Sequence, residues 1–110
     1  MTRSRTILIV DDSELTRAVL AARLEESGAS VVCASSVADA LAVDAEHITA
    51  AIVDVELGSD DGVSLADVLA DRNPRLRLAL FTASDAHRAR TTFKKPEQID
   101  SVIAWALAES

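Results

Sequence analysis

The strongest constraint on the fold is a regular alternation of short apolar runs with longer amphipathic segments along the whole chain. The first run, Ile7–Val10, is continuous and apolar, which is typical of a strand buried on both faces of a sheet. Later runs rich in apolar residues predict strands at residues 31–34, 50–53 and 76–81, and residues 91–93 predict a short fifth strand. The alternation predicts an α/β fold, in which helices cover both faces of a mostly parallel sheet.

Amphipathic segments between and after the strands predict the helices of this fold. They span about residues 13–27, 36–46 and 62–73, and a last helix has Pro96 in its first turn. Gly28 follows the first segment, at a position where helices favour glycine. The apolar residues that recur at helical spacing are Leu15, Ala18, Val19 and Ala22 in the first segment and Leu65, Val68 and Leu69 in the third. The last helix is given an apolar face by Ile99, Val102, Ile103 and Ala106.

The connection between the fourth and fifth predicted strands is unusually short. Only residues 83–90 lie between them, whereas a crossover that contains a helix normally takes about 10–12 residues or more. We therefore predict that the helix of this crossover, helix 4 of the fold, is short or missing.

Length and composition exclude several classes of protein. The predicted elements fill nearly all of the 110 residues, so we expect residues 1–110 to be a single domain with no output domain. The net charge of −7 argues against nonspecific binding to nucleic acid or to an anionic membrane. No membrane span or signal peptide is predicted. The single Cys33 lies in an apolar run, where we expect it to be buried and reduced in a cytoplasmic protein.

Polar residues follow four of the predicted strands. Asp11 and Asp12 follow the first strand, Asp54 the third, Thr82 the fourth and Lys95 the fifth. Ligands of open parallel sheets bind beyond the carboxyl ends of the strands, so these side chains are expected to converge there.

Three carboxylates, a hydroxyl and an ammonium group at one edge indicate phosphoryl chemistry. Close carboxylates repel each other by several kcal/mol, at roughly ε ≈ 20, and ligands that are all oxygen favour Mg²⁺. The ion could bind a phosphoryl oxygen, and one of the carboxylates would then be placed to attack the phosphorus and form an aspartyl phosphate. Lys95 would neutralise a second phosphoryl oxygen, and Thr82 would donate a hydrogen bond to a third.

Each of these residues taken alone also has a purely structural explanation. Asp12 or Ser13 could cap the first helix, Lys95 precedes a proline and could be a solvated surface residue, and Thr82 could simply pack. The ordered set, with one group at each appropriate strand end, favours the functional interpretation.

Four segments of the sequence resemble the receiver domain of two-component response regulators, of the CheY-like type. They are ILIVDDSELTR, AIVDVELGSDDG, LALFTAS and KKP, and they span nearly the whole chain in the order that the family has them. The resemblance implies a flavodoxin-like, doubly wound, five-stranded parallel sheet with strand order 2-1-3-4-5.

The resemblance also implies a role for each candidate site residue. It makes Asp54 the phosphoacceptor, Thr82 the switch hydroxyl and Lys95 the partner of the phosphoryl group, with a Lys95–Pro96 bond that is often cis. The implied Mg²⁺ ligands are Asp11, Asp12, Asp54 and the backbone carbonyl of Glu56. The implied phosphodonor is a sensor histidine kinase or a histidine phosphotransfer protein.

Two features depart from the family's usual pattern, namely residue 92 and the short fourth crossover. The aromatic switch residue is replaced by Thr92, and strand alternation should point the neighbouring Phe93 to the other face of the sheet. Glu56 and Ser84 fall at variable positions that tune the phosphoryl lifetime in the family. Glu56 could control water access, assist ion binding or be a solvated carboxylate. Thr92 and the short fourth crossover together suggest a rebuilt signalling face.

The main hypothesis is therefore a cytoplasmic, Mg²⁺-dependent switch or phosphorelay component that signals to an unknown downstream protein. Self-phosphorylation and slow self-dephosphorylation would be its only chemistry, so we do not expect a turnover enzyme.

One alternative is a phosphate sink or binding module with no structural output. Another is a Mg²⁺-dependent phosphatase with an aspartyl nucleophile and Glu56 as general acid, although no cap is present to enclose a small substrate. Dinucleotide binding is excluded, because the first strand leads into Asp-Asp-Ser rather than a glycine-rich loop.

Overall fold

The computed structural model describes residues 5–84 and 90–108, which form a five-stranded parallel sheet with helices on both faces. Its strands are β1 (Thr6–Val10), β2 (Ser30–Ala34), β3 (Ala50–Val53), β4 (Glu56–Leu57), β5 (Asp60–Asp61), β6 (Arg77–Thr82) and β7 (Thr91–Lys94). Its helices are α1 (Glu14–Glu26), α2 (Val37–Leu41), α3 (Gly62–Arg72) and α4 (Ile99–Leu107), with a 3₁₀ turn at Ala45–His47.

The order of strands in the main sheet is β2-β1-β3-β6-β7, and every pair in it is parallel. The five predicted strands are all present, and the predicted order 2-1-3-4-5 is confirmed. The two remaining strands, β4 and β5, pair only with each other in a short antiparallel ribbon after β3. This ribbon lies at the carboxyl edge of the sheet, where the candidate site residues are.

The sheet has an apolar core on each face, because consecutive residues of a buried strand point in opposite directions. On one face, Ile7 and Ile9 pack with apolar residues of α1 and α4. On the other face, Leu8 and Val10 pack with apolar residues of α2 and α3. The uninterrupted apolar sequence of β1 is therefore explained by burial on both sides.

The helix predicted at residues 13–27 is present as α1, but the apolar residues whose spacing predicts it are not its buried ones. Leu15, Ala18, Val19 and Ala22 are exposed, and the residues of α1 that are fully buried are Leu20 and Leu24. Apolar residues occur on more than one side of this helix, and burying the two leucines removes more apolar area from water than burying alanines would. Val68, one of the residues that predict α3, is also exposed. Exposed apolar residues thus remain on both helices.

Three smaller predictions also need correction. The second helix was expected to continue to about residue 46, but it ends at Leu41. The last helix begins at Ile99, so Pro96 lies in the turn before it rather than in its first turn. Cys33 is exposed, because it lies on β2 at an edge of the sheet, where the helices cover the strand less completely.

The predicted short or missing helix 4 falls on residues 83–90, of which 85–89 lie outside the described residues. Ala83, Ser84 and Arg90, the described residues of this connection, are not helical. No helix in the described ranges 5–84 and 90–108 has the length and apolar character needed to cross a lipid bilayer.

The end of α4 is held against the sheet by Arg77, at the start of β6. Its guanidinium group donates hydrogen bonds to the carbonyl oxygens of Trp105 and Ala108, at 2.8 and 2.9 Å. It also lies 4.4 Å from the centroid of the Trp105 ring, within the range of a cation–π interaction. These hydrogen bonds give the Ala108 carbonyl a donor at the C-terminal end of the helix and give a second donor to the Trp105 carbonyl, which also accepts from the Ala108 N–H at 3.2 Å.

We expect Arg77→Ala to lower the free energy of unfolding by about 2 kcal/mol, because it removes two charge-assisted hydrogen bonds and a ring contact. A urea titration that follows Trp105, the single tryptophan, would measure the change. Arg75→Ala is the matched control, because Arg75 is an exposed arginine two residues earlier, and it should change stability by less than about 0.5 kcal/mol. Equal stability of the two variants would contradict this assignment.

Candidate functional site

The predicted site residues converge at the carboxyl edge of the main sheet. Asp11 and Asp12 directly follow β1, and Asp54 directly follows β3. Each of the three has a carboxylate oxygen, and these oxygens all lie within 4.8 Å of one another. Thr82 is the last residue of β6, and Lys95 directly follows β7. The structure thus brings the side chains of Asp11, Asp12, Asp54 and Lys95 together, and Thr82 ends the strand between those that precede Asp54 and Lys95.

The backbone around each acidic residue is fixed by local hydrogen bonds. The N–H of Asp54 donates to the carbonyl of Val10 at 2.8 Å, so β3 keeps its register with β1 up to the acid. The N–H of Glu56 donates to Asp54 Oδ1 at 3.2 Å. On the other strand, the N–H of Ser13 donates to Asp11 Oδ1 at 2.9 Å, and the Ser13 side chain caps α1. The capping role that Asp12 or Ser13 could have had therefore belongs to Ser13.

Lys95 is the cation that the structure places among these carboxylates. Its Nζ lies 2.6 Å from Asp11 Oδ2 and 3.1 Å from Asp54 Oδ2, and only 18% of its side chain is exposed. Nζ is also 5.7 Å from the centroid of the Phe81 ring. The Lys95 N–H donates to the carbonyl of Thr82 at 2.9 Å, and the Lys95–Pro96 bond is cis. The explanation of Lys95 as a solvated surface residue is excluded.

Burial and charge shift the pKa values of this corner. Burial raises the pKa of Asp54 above its ordinary value; the positive charge of Lys95 opposes that rise, and the negative charge of Asp11 adds to it. Burial alone would lower the pKa of Lys95, but the hydrogen bond and charge of Asp11, with the charge of Asp54, raise it. The corner therefore keeps Lys95 protonated and favours any further cation that binds beside Asp54.

An open cavity of about 200 Å³ lies in front of these groups and is lined by Asp12, Asp54, Glu56, Ala83 and Lys95. Asp11 and Asp54 are buried, whereas Asp12 is exposed and its Oδ2 accepts a hydrogen bond from the N–H of Gly58. The donor set is entirely oxygen, with carboxylates that repel each other, and this set fits a hard divalent cation such as Mg²⁺. The cavity has room for such an ion and a phosphoryl group.

Thr82 lies behind the cavity wall rather than on it. It is fully buried, and its Oγ1 accepts a hydrogen bond from the N–H of Ser84 at 3.2 Å. Ser84 Oγ in turn donates a hydrogen bond to the Glu56 carboxylate. Glu56, whose role the sequence left open, therefore bridges the β4–β5 ribbon to the residues that follow β6.

Phe93 points to the face of the sheet opposite Thr92, as strand alternation predicts. It packs with the core under α1 and α4, with its ring centroid 6.2 Å from that of Trp105. Thr92 Oγ1 donates to the carbonyl of Arg90 at 3.0 Å, and the Arg90 guanidinium pairs with Asp67 of α3 at 2.6 Å. Phe93 therefore does not replace the aromatic switch residue.

One contact at the site was missed from the sequence. The guanidinium group of Arg17, in α1, donates to the backbone carbonyl of Asp11 at 2.7 Å. The only signal was a basic residue on the first turns of a helix that starts beside the acids. That position does not itself indicate which way the side chain turns.

Comparison with known proteins identifies the family. The model of the response regulator receiver domain family matches residues 7–103 of this chain, which include all the candidate site residues. The chain belongs to the receiver domain family of response regulators. The resemblance seen in the four sequence segments is thereby confirmed, and so is the CheY-like fold.

Relatives of this receiver domain include larger signalling proteins. The sensor protein TorS of Escherichia coli K12 is 37% identical over 79 residues, which are 70% of this chain and 9% of TorS. The photosynthetic apparatus regulatory protein RegA of Cereibacter sphaeroides is 34% identical over 83 residues, which are 74% of this chain and 45% of RegA. The match therefore spans less than half the length of either relative.

A solved structure of a response regulator from Burkholderia pseudomallei is similar along almost the whole chain. It is 29% identical, with a TM-score of 0.80 over 96% of this chain and 67% of that chain. That crystal structure contains a phosphorylated aspartic acid, a calcium ion and citrate.

Proposed function

We propose that this receiver domain accepts a phosphoryl group on Asp54 from a sensor histidine kinase or a histidine phosphotransfer protein. The observation that carries the proposal is the convergence of the carboxylates of Asp11, Asp12 and Asp54 within 4.8 Å, with Lys95 Nζ bonded to two of them. The proposed ligands of Mg²⁺ are these three carboxylates and the backbone carbonyl of Glu56. Mg²⁺ would neutralise charge on the phosphoryl oxygens while they are transferred.

The proposed reaction forms a bond between a carboxylate oxygen of Asp54 and the phosphorus, while the bond from phosphorus to the donor breaks. With phosphohistidine, the electron pair of that bond returns to the imidazole nitrogen. Lys95 would pair with a second phosphoryl oxygen, for which its bond to Asp54 already positions it. The Thr82 hydroxyl would move to a third oxygen, and that movement gives the phosphorylated state its own conformation.

The Burkholderia pseudomallei relative supports this assignment, because its aspartic acid is phosphorylated and its crystals contain a divalent cation. We further propose that the domain acts in the cytoplasm as a switch or phosphorelay component. Its output would be a change in the affinity for a downstream protein rather than turnover of a small substrate. That residues 1–110 act without an output domain stays a prediction.

Intact-protein mass spectrometry tests the proposed reaction. With Mg²⁺ and acetyl phosphate, the wild type should gain one phosphoryl group, and omission of Mg²⁺ should suppress the gain. Asp54→Asn should gain none. Asp60→Asn, which changes an exposed acid of the neighbouring ribbon, is the matched control and should be phosphorylated like the wild type. Phosphorylation of Asp54→Asn at the wild-type rate would reject Asp54 as the acceptor, and continuous release of phosphate from generic phosphate esters would favour the phosphatase alternative.

An apolar cleft beside the site is a suitable docking place for the phosphodonor. The cleft is lined by Leu15 and Val19 of α1 together with Pro96 and Ile99. Lys95 lines both this cleft and the cavity in front of Asp54. Leu15 is 74% exposed, which is unusual for a leucine. A protein that covers this cleft would have its phosphohistidine next to Asp54.

We expect Leu15→Asp to slow phosphotransfer from a protein donor at least about tenfold, because a buried charge in an apolar contact weakens binding by more than about 1.4 kcal/mol. Labelling by acetyl phosphate should not change, since that donor needs no docking surface. Val68→Asp is the control, because it places the same charge on an exposed apolar residue of α3. If both donors are slowed equally by Leu15→Asp, or if Val68→Asp has the same effect, the docking assignment is wrong.

A further inference from the structure

Asp11 is held in place by partners on several different elements, through both its backbone and its carboxylate. Its N–H donates to the carbonyl of Ala34, at the end of β2, at 3.1 Å. Its carboxylate oxygens accept from the Ser13 N–H and from Lys95 Nζ. Its carbonyl oxygen accepts from Arg17 Nη1 at 2.7 Å, the contact that α1 supplies through a side chain.

The carbonyl of Asp11 belongs to the peptide plane that joins Asp11 to Asp12. A peptide unit is planar, so holding the carbonyl also fixes the direction in which the chain enters Asp12. Asp12 is exposed. Among the described residues, its carboxylate accepts one hydrogen bond, from the Gly58 N–H at 3.2 Å. The direction of the Asp12 carboxylate therefore depends on how firmly the peptide plane before it is held.

The contact of Arg17 with this plane is a hydrogen bond to the backbone carbonyl, and no carboxylate accepts from Arg17 among the hydrogen bonds of the described residues. A charge-assisted hydrogen bond of 2.7 Å to a carbonyl is short and strong for its type.

We propose that Arg17 is a positioning residue that orients the Asp11–Asp12 peptide, so that both acids face the cation site of the proposed function. This inference rests on that proposed function. Groups that orient metal ligands from behind typically change metal affinity by about 10–100-fold when they are removed. The effect should therefore be on cation binding and not on the chemical step at saturating cation.

The test measures Mg²⁺ binding to the unphosphorylated protein by isothermal titration calorimetry, and labelling by acetyl phosphate as a function of Mg²⁺. For Arg17→Ala we expect the dissociation constant and the half-saturating Mg²⁺ concentration to rise about tenfold. The labelling rate at saturating Mg²⁺ should stay within about twofold of the wild type, since the reacting groups are retained. Arg17→Lys, which keeps one cationic donor, should restore part of the Mg²⁺ affinity.

Arg23→Ala is the matched control, because it removes the same charge from the same helix and breaks an ion pair with Asp100 instead. It should leave Mg²⁺ binding unchanged. Wild-type Mg²⁺ affinity in Arg17→Ala, the same loss in Arg23→Ala, or no recovery in a folded Arg17→Lys would each overturn the positioning role. A wild type that binds Mg²⁺ but is never labelled would overturn the proposed function instead, and the calorimetric comparison would still decide the role of Arg17.

Discussion

Lys95→Met should slow phosphorylation by acetyl phosphate about 100-fold at saturating Mg²⁺, because the variant lacks the ammonium group that, in the proposed function, would neutralise a phosphoryl oxygen in the transition state. In the structure, Lys95 Nζ is already 3.1 Å from Asp54 Oδ2, so it needs little movement to follow the charge as it develops. Mg²⁺ binding should be at least as tight as in the wild type, since a cation has been removed from beside the carboxylates of Asp11 and Asp54.

The neighbouring Lys94 provides the matched control for this prediction. Lys94 is exposed on β7, and Lys94→Met makes the same change of charge and size at the neighbouring position. It should be labelled at close to the wild-type rate. Labelling of Lys95→Met at the wild-type rate, or equal slowing in the two variants, would show that Lys95 does not act on the phosphoryl group.

Gly62→Ala should lower the free energy of unfolding by about 3 kcal/mol, near the upper end for an overpacked site. A Cβ at this position would lie 1.8 Å from the carbonyl oxygen of Asp54 and 2.9 Å from the Cα of Val55. Both are backbone atoms of the segment that carries Asp54, the proposed phosphoacceptor, and the N–H of Gly62 donates to the carbonyl of Val55. Relief of the clash must move either α3 or Asp54, so labelling should also slow. Urea unfolding and acetyl phosphate labelling measure the two effects.

Gly58→Ala separates steric clash from backbone conformation. Gly58 has a φ of +64°, but nothing lies within 4 Å of the position of an added Cβ, so its substitution should cost only about 1–2 kcal/mol. Gly62 is not among the positive-φ glycines, so its larger effect would come from the clash alone. A loss in Gly62→Ala no greater than in Gly58→Ala would contradict the close approach of α3 to Asp54.

The sheet could be predicted from the sequence because a strand buried on both faces must be apolar at every position. Ile7–Val10 meets that condition, and so do β3 and the middle of β6, so these strand positions needed no knowledge of the packing. The edge strand β7 does not meet it, because its sequence is TTFK and its residues are exposed or half-buried. The edge strand β2 has an apolar sequence but leaves Cys33 exposed. Burial of an edge strand depends on how far the helices reach across it, which a local pattern does not contain.

The buried faces of α1 and α3 could not be predicted, because apolar residues occur on both the buried and the exposed sides of these helices. Leu20 and Leu24 pack on the sheet, whereas Leu15 and Val19 are exposed beside the acidic cavity. A spacing rule treats both sets alike, and the exposed set had the more regular spacing. An apolar residue that a partner covers cannot be distinguished from a core residue by sequence period alone.

The site could be predicted because a parallel sheet brings the carboxyl ends of its strands to one edge. Asp11, Asp54 and Lys95 needed only their places after three different strands to be brought together. The Ser84–Glu56 and Arg17–Asp11 hydrogen bonds depend on side-chain directions instead. These follow from the three-dimensional packing and have no local sequence signal.

Borohydride trapping after acetyl phosphate treatment is the most direct test of Asp54 as the acceptor. Borohydride reduces the acyl carbon of an aspartyl phosphate to an alcohol and releases phosphate, so the modified residue becomes homoserine and can be located by peptide mass mapping. We expect homoserine at position 54 alone, formed only when Mg²⁺ was present during labelling. Homoserine at position 11 or 12, or a phosphoryl group that resists borohydride and maps to a serine, threonine or histidine, would contradict the account.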